Sequence, residues 1–118
     1  MPPASLNLVV LRAPDIEVLG AFYSVFGLEF TKHAHGSGPE HYSSDSQGIV
    51  FEIYPLPDAA SSTTTTRIGF KVESLDDLLA RVTQMGGKII SPAKDSPWGR
   101  RAVILDPIGH KVELVEQR

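Results

Sequence analysis

The chain has 118 residues, a formal net charge of −3 and no cysteine. That length suits one domain with a real core, and the acidic balance excludes nucleic acid as the main partner. The missing thiols exclude disulfides, thiolate metal sites and cysteine nucleophiles.

Hydrophobic residues make up 42% and charged residues 21%, so a water-soluble globule is expected. Met1-Pro2-Pro3-Ala4-Ser5 has no basic n-region and no apolar h-region. No apolar run reaches membrane-spanning length. A cytoplasmic protein with no membrane partner is expected.

Leu6–Ala13 is a run that is apolar except for Asn7 and Arg12, which predicts a strand buried on both faces. Pro14-Asp15 breaks it, with Asp15 placed as a helix N-cap. Ile16, Leu19, Phe22, Tyr23 and Phe26 follow at helical spacing, and Gly27 ends the helix. Leu28–Lys32 reads as a second strand. His33–Tyr42, rich in Gly, Pro and His, reads as a structured loop. Tyr42–Ser44 is a short strand, Asp45–Gly48 a turn, and Ile49–Tyr54 a strand interrupted by Glu52. Pro55–Thr66 is a Pro/Ala/Ser/Thr stretch with linker character.

The pattern then restarts. Ile68–Val72 is a strand, and Ser74-Leu75-Asp76-Asp77 approximates a capping box. Leu75, Leu78, Leu79, Val82 and Met85 form a helical stripe ended by Gly86-Gly87. Lys88–Ser91 is a strand, Pro92–Gly99 a loop and Arg100–Leu105 a strand. Asp106-Pro107-Ile108-Gly109 is turn chemistry, so Ala102–Leu105 and Val112–Val115 make a hairpin carrying Glu113. His110 is expected at the turn edge, facing away from Glu113.

From the first strand through the helix-ending glycine the halves repeat without a gap. Leu8 aligns with Arg67, an offset of 59 (67 minus 8), and Leu11/Phe70, Leu19/Leu78 and Gly27/Gly86 keep it. At the ends of the halves, Val50-Phe51-Glu52-Ile53-Tyr54 matches Lys111-Val112-Glu113-Leu114-Val115. The organisation is one domain over 1–118: module 1 about 6–56, a linker about 57–66 and module 2 about 67–118.

Each half reads β-α-β-β-β. With Asp15-Ile16-Glu17, Phe22–Leu28, Val72–Asp76, Gly86-Gly87 and Asp106–Leu114, the chain resembles the vicinal oxygen chelate superfamily of glyoxalases, bleomycin-resistance proteins and extradiol dioxygenases. The resemblance implies an α+β fold of two tandem βαβββ modules forming a curved sheet around a cleft, and a homodimer. In metal-dependent members, ligands come from the first and last strands of each half. Here those positions are Leu8, Glu52, Arg67 and Glu113. Leu8 has no donor atom and Arg67 is a permanent cation, so the inherited metal site is expected to be lost.

Strand alternation places Leu8, Glu52, Tyr54, Arg67 and Glu113 on the cleft side, with Arg67 bridging Glu52 and Glu113. That cluster serves either as an ion pair without chemistry or as a ligand site. His33 and His35 allow a chelating pair but read more simply as polar loop residues. Glu40, His41 or Tyr42 is available at the rim as acid, base or anchor. Trp98 with Arg100 and Arg101 suits stacking on, and pairing with, a planar or anionic ligand. The expected small-molecule site is Leu8, His41, Glu52, Tyr54, Arg67, Trp98, Arg100 and Glu113. The expected function is metal-independent small-molecule binding. The alternative is a glyoxalase-like lyase or dioxygenase holding Zn, Ni, Mn or Fe through Glu52, Glu113 and non-standard ligands.

Overall fold

The computed structural model describes residues 2–116. The order is β1 (Leu8–Ala13), α1 (Ile16–Ser24), β2 (Thr31–His33), β3 (His41–Ser46), β4 (Ile49–Pro55), β5 (Arg67–Val72), α2 (Leu75–Gln84), β6 (Lys88–Ser96), β7 (Gly99–Leu105) and β8 (Lys111–Glu116). Among the described residues the strands form two four-stranded mixed sheets, β1-β4-β3-β2 and β5-β8-β7-β6, and no closed barrel. In each, the first strand runs parallel to the last and the remaining pairs are antiparallel. The fold is therefore α+β with two βαβββ modules. No helix among the described residues is long and apolar enough to cross a membrane.

The repeat is visible in the backbone. β1 and β5 begin at Leu8 and Arg67, α1 and α2 at Ile16 and Leu75, each pair at the same offset. Gly27 and Gly86 end the helical segments at φ 88° and 92°, a left-handed conformation that costs glycine little. The helix starts differ. Asp15 caps α1 by accepting from the Glu17 amide at 3.0 Å. The Ser74 hydroxyl donates to Asp77 instead of closing a capping box, and Glu116 of β8 accepts from the Leu75 amide at 3.1 Å. A tertiary carboxylate thus does the capping that the local sequence suggested for Ser74.

Several expected strands shift. β1 buries only Leu11 and Ala13, because it is an outer strand whose other face is open. β2 starts at Thr31, where pairing with Ser43 begins; Leu28 and Phe30 pack against the core instead. β6 runs on through Pro92 to Ser96, with register shifts between Ile89 and Ser91 and between Ser91 and Lys94. As an outer strand it tolerates a proline that cannot donate to a ladder.

Both helix-covered sheet faces feed one core containing Leu11, Leu19, Phe22, Ile53, Leu78, Val82, Ile104 and Leu114. Phe51 of the first sheet and Phe70 of the second meet there, with ring centroids 5.9 Å apart. A buried polar network adds to this junction. Asp106 accepts from the Tyr23 hydroxyl at 2.7 Å and from His110 Nδ1 at 2.8 Å. His110 Nε2 meets Thr63 Oγ1 at 2.7 Å, and that oxygen also accepts from the Arg12 amide at 2.9 Å. His110 is fully buried, not at an exposed turn edge. The Asp106 turn folds it inward, against Thr63 of the segment between the modules.

Candidate functional site

Because Phe51 and Phe70 meet in the core, the residues alternating with them point away from it. The candidate positions therefore lie on two open sheet faces rather than on one. The first face carries Leu8, Val10 and Arg12 from β1, Val50, Glu52 and Tyr54 from β4, and His41, Ser43 and Asp45 from β3. The second carries Arg67, Gly69 and Lys71 from β5, Lys111, Glu113 and Val115 from β8, and Arg101, Val103 and Leu105 from β7.

On the first face, His41 is 1% exposed and lies flat on Tyr54, centroids 4.1 Å apart at 9°. Its Nδ1 is 3.2 Å from the Pro39 carbonyl, which can only accept, so that nitrogen carries a hydrogen. Nε2 then faces the Tyr54 hydroxyl at 3.3 Å and Glu52 Oε2 at 3.5 Å. The Arg12 guanidinium sits 5.5 Å from the centre of the Tyr54 ring. His33 and His35 crowd His41 with centroids 6.0 and 5.2 Å away. His41 is thus the base of a ring stack, not a rim residue, and the loop composition gave no sign of this.

On the second face, one oxygen of Glu113 accepts from both Arg67 and Arg101. These hydrogen bonds, that from Arg67 first, hold the Glu113 carboxyl below its usual range. The expected bridge is half present: Arg67 pairs with Glu113, but Glu52 lies on the other sheet, its Oε2 3.5 Å from His41 Nε2. Trp98, 76% exposed in the β6–β7 turn, lines a hollow of about 420 Å³ with Gly69, Lys71, Glu113 and Val115. Arg100 falls on the helix side, 3.2 Å from Asp76. Arg101 is the arginine that shares a face with Glu113. Counting alternation back from Val103, which pairs with Glu113, would have distinguished the two.

Leu8 offers only carbon and is 47% exposed, and two guanidiniums already hold Glu113. Among the described residues no group of three or more His, Asp or Glu side chains is placed to hold a metal ion.

The Glu113 pairing predicts a measurable titration. By carboxyl NMR, Glu113 is expected to titrate below its ordinary value in the parent chain and closer to it in Arg67→Gln, which retains only Arg101. An unchanged midpoint would mean that Arg67 is not held there in solution.

Comparison with known proteins gives a consistent pattern. The model of the Glyoxalase/Bleomycin resistance protein/Dioxygenase superfamily matches residues 5–114. The anthracycline biosynthesis protein DauV of Streptomyces sp. (strain C5) is 28% identical over 98% of the chain, which spans only 42% of that relative's length. A glyoxalase/bleomycin resistance protein/dioxygenase family enzyme from Burkholderia phytofirmans PsJN superposes with TM-score 0.76 at 19% identity, covering 96% of this chain and 98% of that one. TnmS3, an antibiotic binding protein from Streptomyces sp. CB03234, superposes with TM-score 0.74 at 20% identity, covering 100% and 99%.

Proposed function

The chain belongs to the Glyoxalase/Bleomycin resistance protein/Dioxygenase superfamily, and from that membership we propose that it is a metal-independent small-molecule-binding protein acting in the cytoplasm as a homodimer. The observation that carries this reading is the occupied Glu113 carboxylate. Where a dication would need donors, Arg67 and Arg101 supply two positive charges to one oxygen. A divalent ion would be repelled by both and would gain nothing from Leu8. The names of two similar proteins, one binding an antibiotic and one serving anthracycline biosynthesis, agree with a bulky organic ligand.

A second copy would complete the cleft. An apolar hollow of about 420 Å³ opens between the outer strands β1 and β5, lined by Val9, Ile49, Phe51, Ile68 and Phe70 with the exposed Leu6 beside it. Burying it against a partner favours association. The same pairing would set Leu8, Glu52, Tyr54 and His41 of one copy opposite Arg67, Glu113 and Trp98 of the other.

The test is elemental analysis of protein purified without chelators or a metal-affinity tag, combined with light scattering for mass. The expected result is a dimer with substoichiometric metal. Tightly bound Zn, Ni, Mn or Fe at one per site would replace this reading with the metal-dependent lyase or dioxygenase, and a monomer that binds ligand would remove the shared cleft.

A further inference from the structure

Resting on the small-molecule-binding reading, we propose that the open face of the second sheet selects a flat aromatic ligand bearing an anionic group such as a carboxylate, sulfonate or phenolate. The face is laid out in rows across the four strands. Nearest Trp98, the pairings set Lys71, Val115, Arg101 and Lys94 side by side. The next row is Gly69, Glu113, Val103 and Ser91, and the third is Arg67, Lys111, Leu105 and Lys88. Successive rows on one face are about 7 Å apart. Two cationic rows therefore flank a central one whose single carboxylate is already neutralised by Arg67 and Arg101. Lys71 and Lys111 make no ion pair among the described residues.

This concentration of positive charge runs against a chain whose net charge is −3. The first sheet's open face carries Arg12 with Glu52 and Asp45, so the excess belongs to the second sheet alone. Converging cations on a strand face raise the local concentration of an anion and penalise a cation of the same shape.

The shape argument is separate. Gly69 leaves the centre of the face without a side chain, although a Cβ there would meet only Glu113 O at 3.7 Å and its Cβ at 3.8 Å, ordinary contacts. A planar ring has a floor at Gly69, a stacking wall in the exposed Trp98 and Lys71 on the same hollow to receive its charge. The hollow's volume of about 420 Å³ falls in the range of small-molecule sites.

Trp98 is the only tryptophan, so its fluorescence reports binding directly. The intact chain is titrated with anthraquinone-2-sulfonate and with an anthraquinone carrying a quaternary ammonium at the same position. The anion is expected to quench Trp98 with an affinity about tenfold or more above that of the cation, weakening as salt is added. Lys71→Glu should abolish the preference, and Gly69→Val should weaken both probes by filling the floor; circular dichroism confirms that each variant is folded. Equal binding of the two probes overturns the charge assignment and leaves the binding function standing. Binding of neither overturns the flat aromatic assignment and leaves the small-molecule reading to its own test. Anion binding that Gly69→Val leaves intact overturns the assignment to this hollow, as mere surface attraction would behave that way.

Discussion

Asp106→Asn is expected to destabilise the fold by about 3 kcal/mol, lowering the melting temperature by about 10 °C. Oδ1 of Asp106 accepts from the amides of Ile108, Gly109 and His110 at 2.9, 2.9 and 3.1 Å. Oδ2 accepts from the Tyr23 hydroxyl and from His110 Nδ1. Every partner is a donor. An amide must turn its NH₂ group toward one set or the other, placing donors against donors where the side chain is fully buried. Tyr23→Phe removes one donor and leaves the carboxylate well supplied, so its cost should be about 1 kcal/mol. Chemical denaturation of both variants checks the ranking; equal costs would mean that the carboxylate is not the hub.

The same group gives the fold an acid limit. Burial alone would push the Asp106 carboxyl up, but hydrogen bonds from His110 and Tyr23 outweigh it and the net shift is downward. A carboxyl depressed in the folded state contributes stability that is complete above its unfolded value near 4 and is lost as pH falls through its folded value. The stability gap between the parent chain and Asp106→Asn should therefore narrow below about pH 4.

Phe70→Ala is expected to cost about 3 kcal/mol and to loosen the two modules from each other. Phe70 is half-buried yet touches three rings of the first module: Phe26 at 5.0 Å and Tyr23 and Phe51 each at 5.9 Å between centroids. It is the only phenylalanine or tyrosine of the second module. Leu114→Ala, deep in the second sheet, serves as the control, since it opens a cavity without cutting the junction. Amide exchange should show unequal protection of β1–β4 and β5–β8 in Phe70→Ala and a uniform loss in Leu114→Ala. Uniform loss in both would show that the junction is not carried by this ring.

The module architecture was legible in the sequence because its signals are local. Helical spacing and terminating glycines recur at the same offset in both halves, and the offset held for β1 with β5 and α1 with α2. Glu52 and Glu113 share a register role despite a spacing of 61 (113 minus 52), since each sits opposite the third residue of its parallel partner, Val10 and Gly69. What stayed hidden depends on contacts distant in sequence. Arg100 and Arg101 are adjacent, and only the pairing with β8 decides which one meets Glu113. Leu75 is capped by Glu116 from 41 positions away. The stacking of His41 on Tyr54 requires β3 to lie beside β4. His110 reads as a polar turn residue until Asp106 and Thr63 enclose it.

Thr63 belongs to the stretch whose composition suggested a flexible tether, yet its hydroxyl joins the Arg12 backbone of module 1 to His110 of module 2. A hinge needs backbone that can rotate without breaking buried hydrogen bonds, and this connection has no such freedom at its centre. These bonds tie the two open faces at one angle, and under the binding reading proposed above any motion would fall to the turns that border them. Affinity would then rest on a surface already in place before binding, and lengthening the connection would loosen the receptor rather than widen its reach.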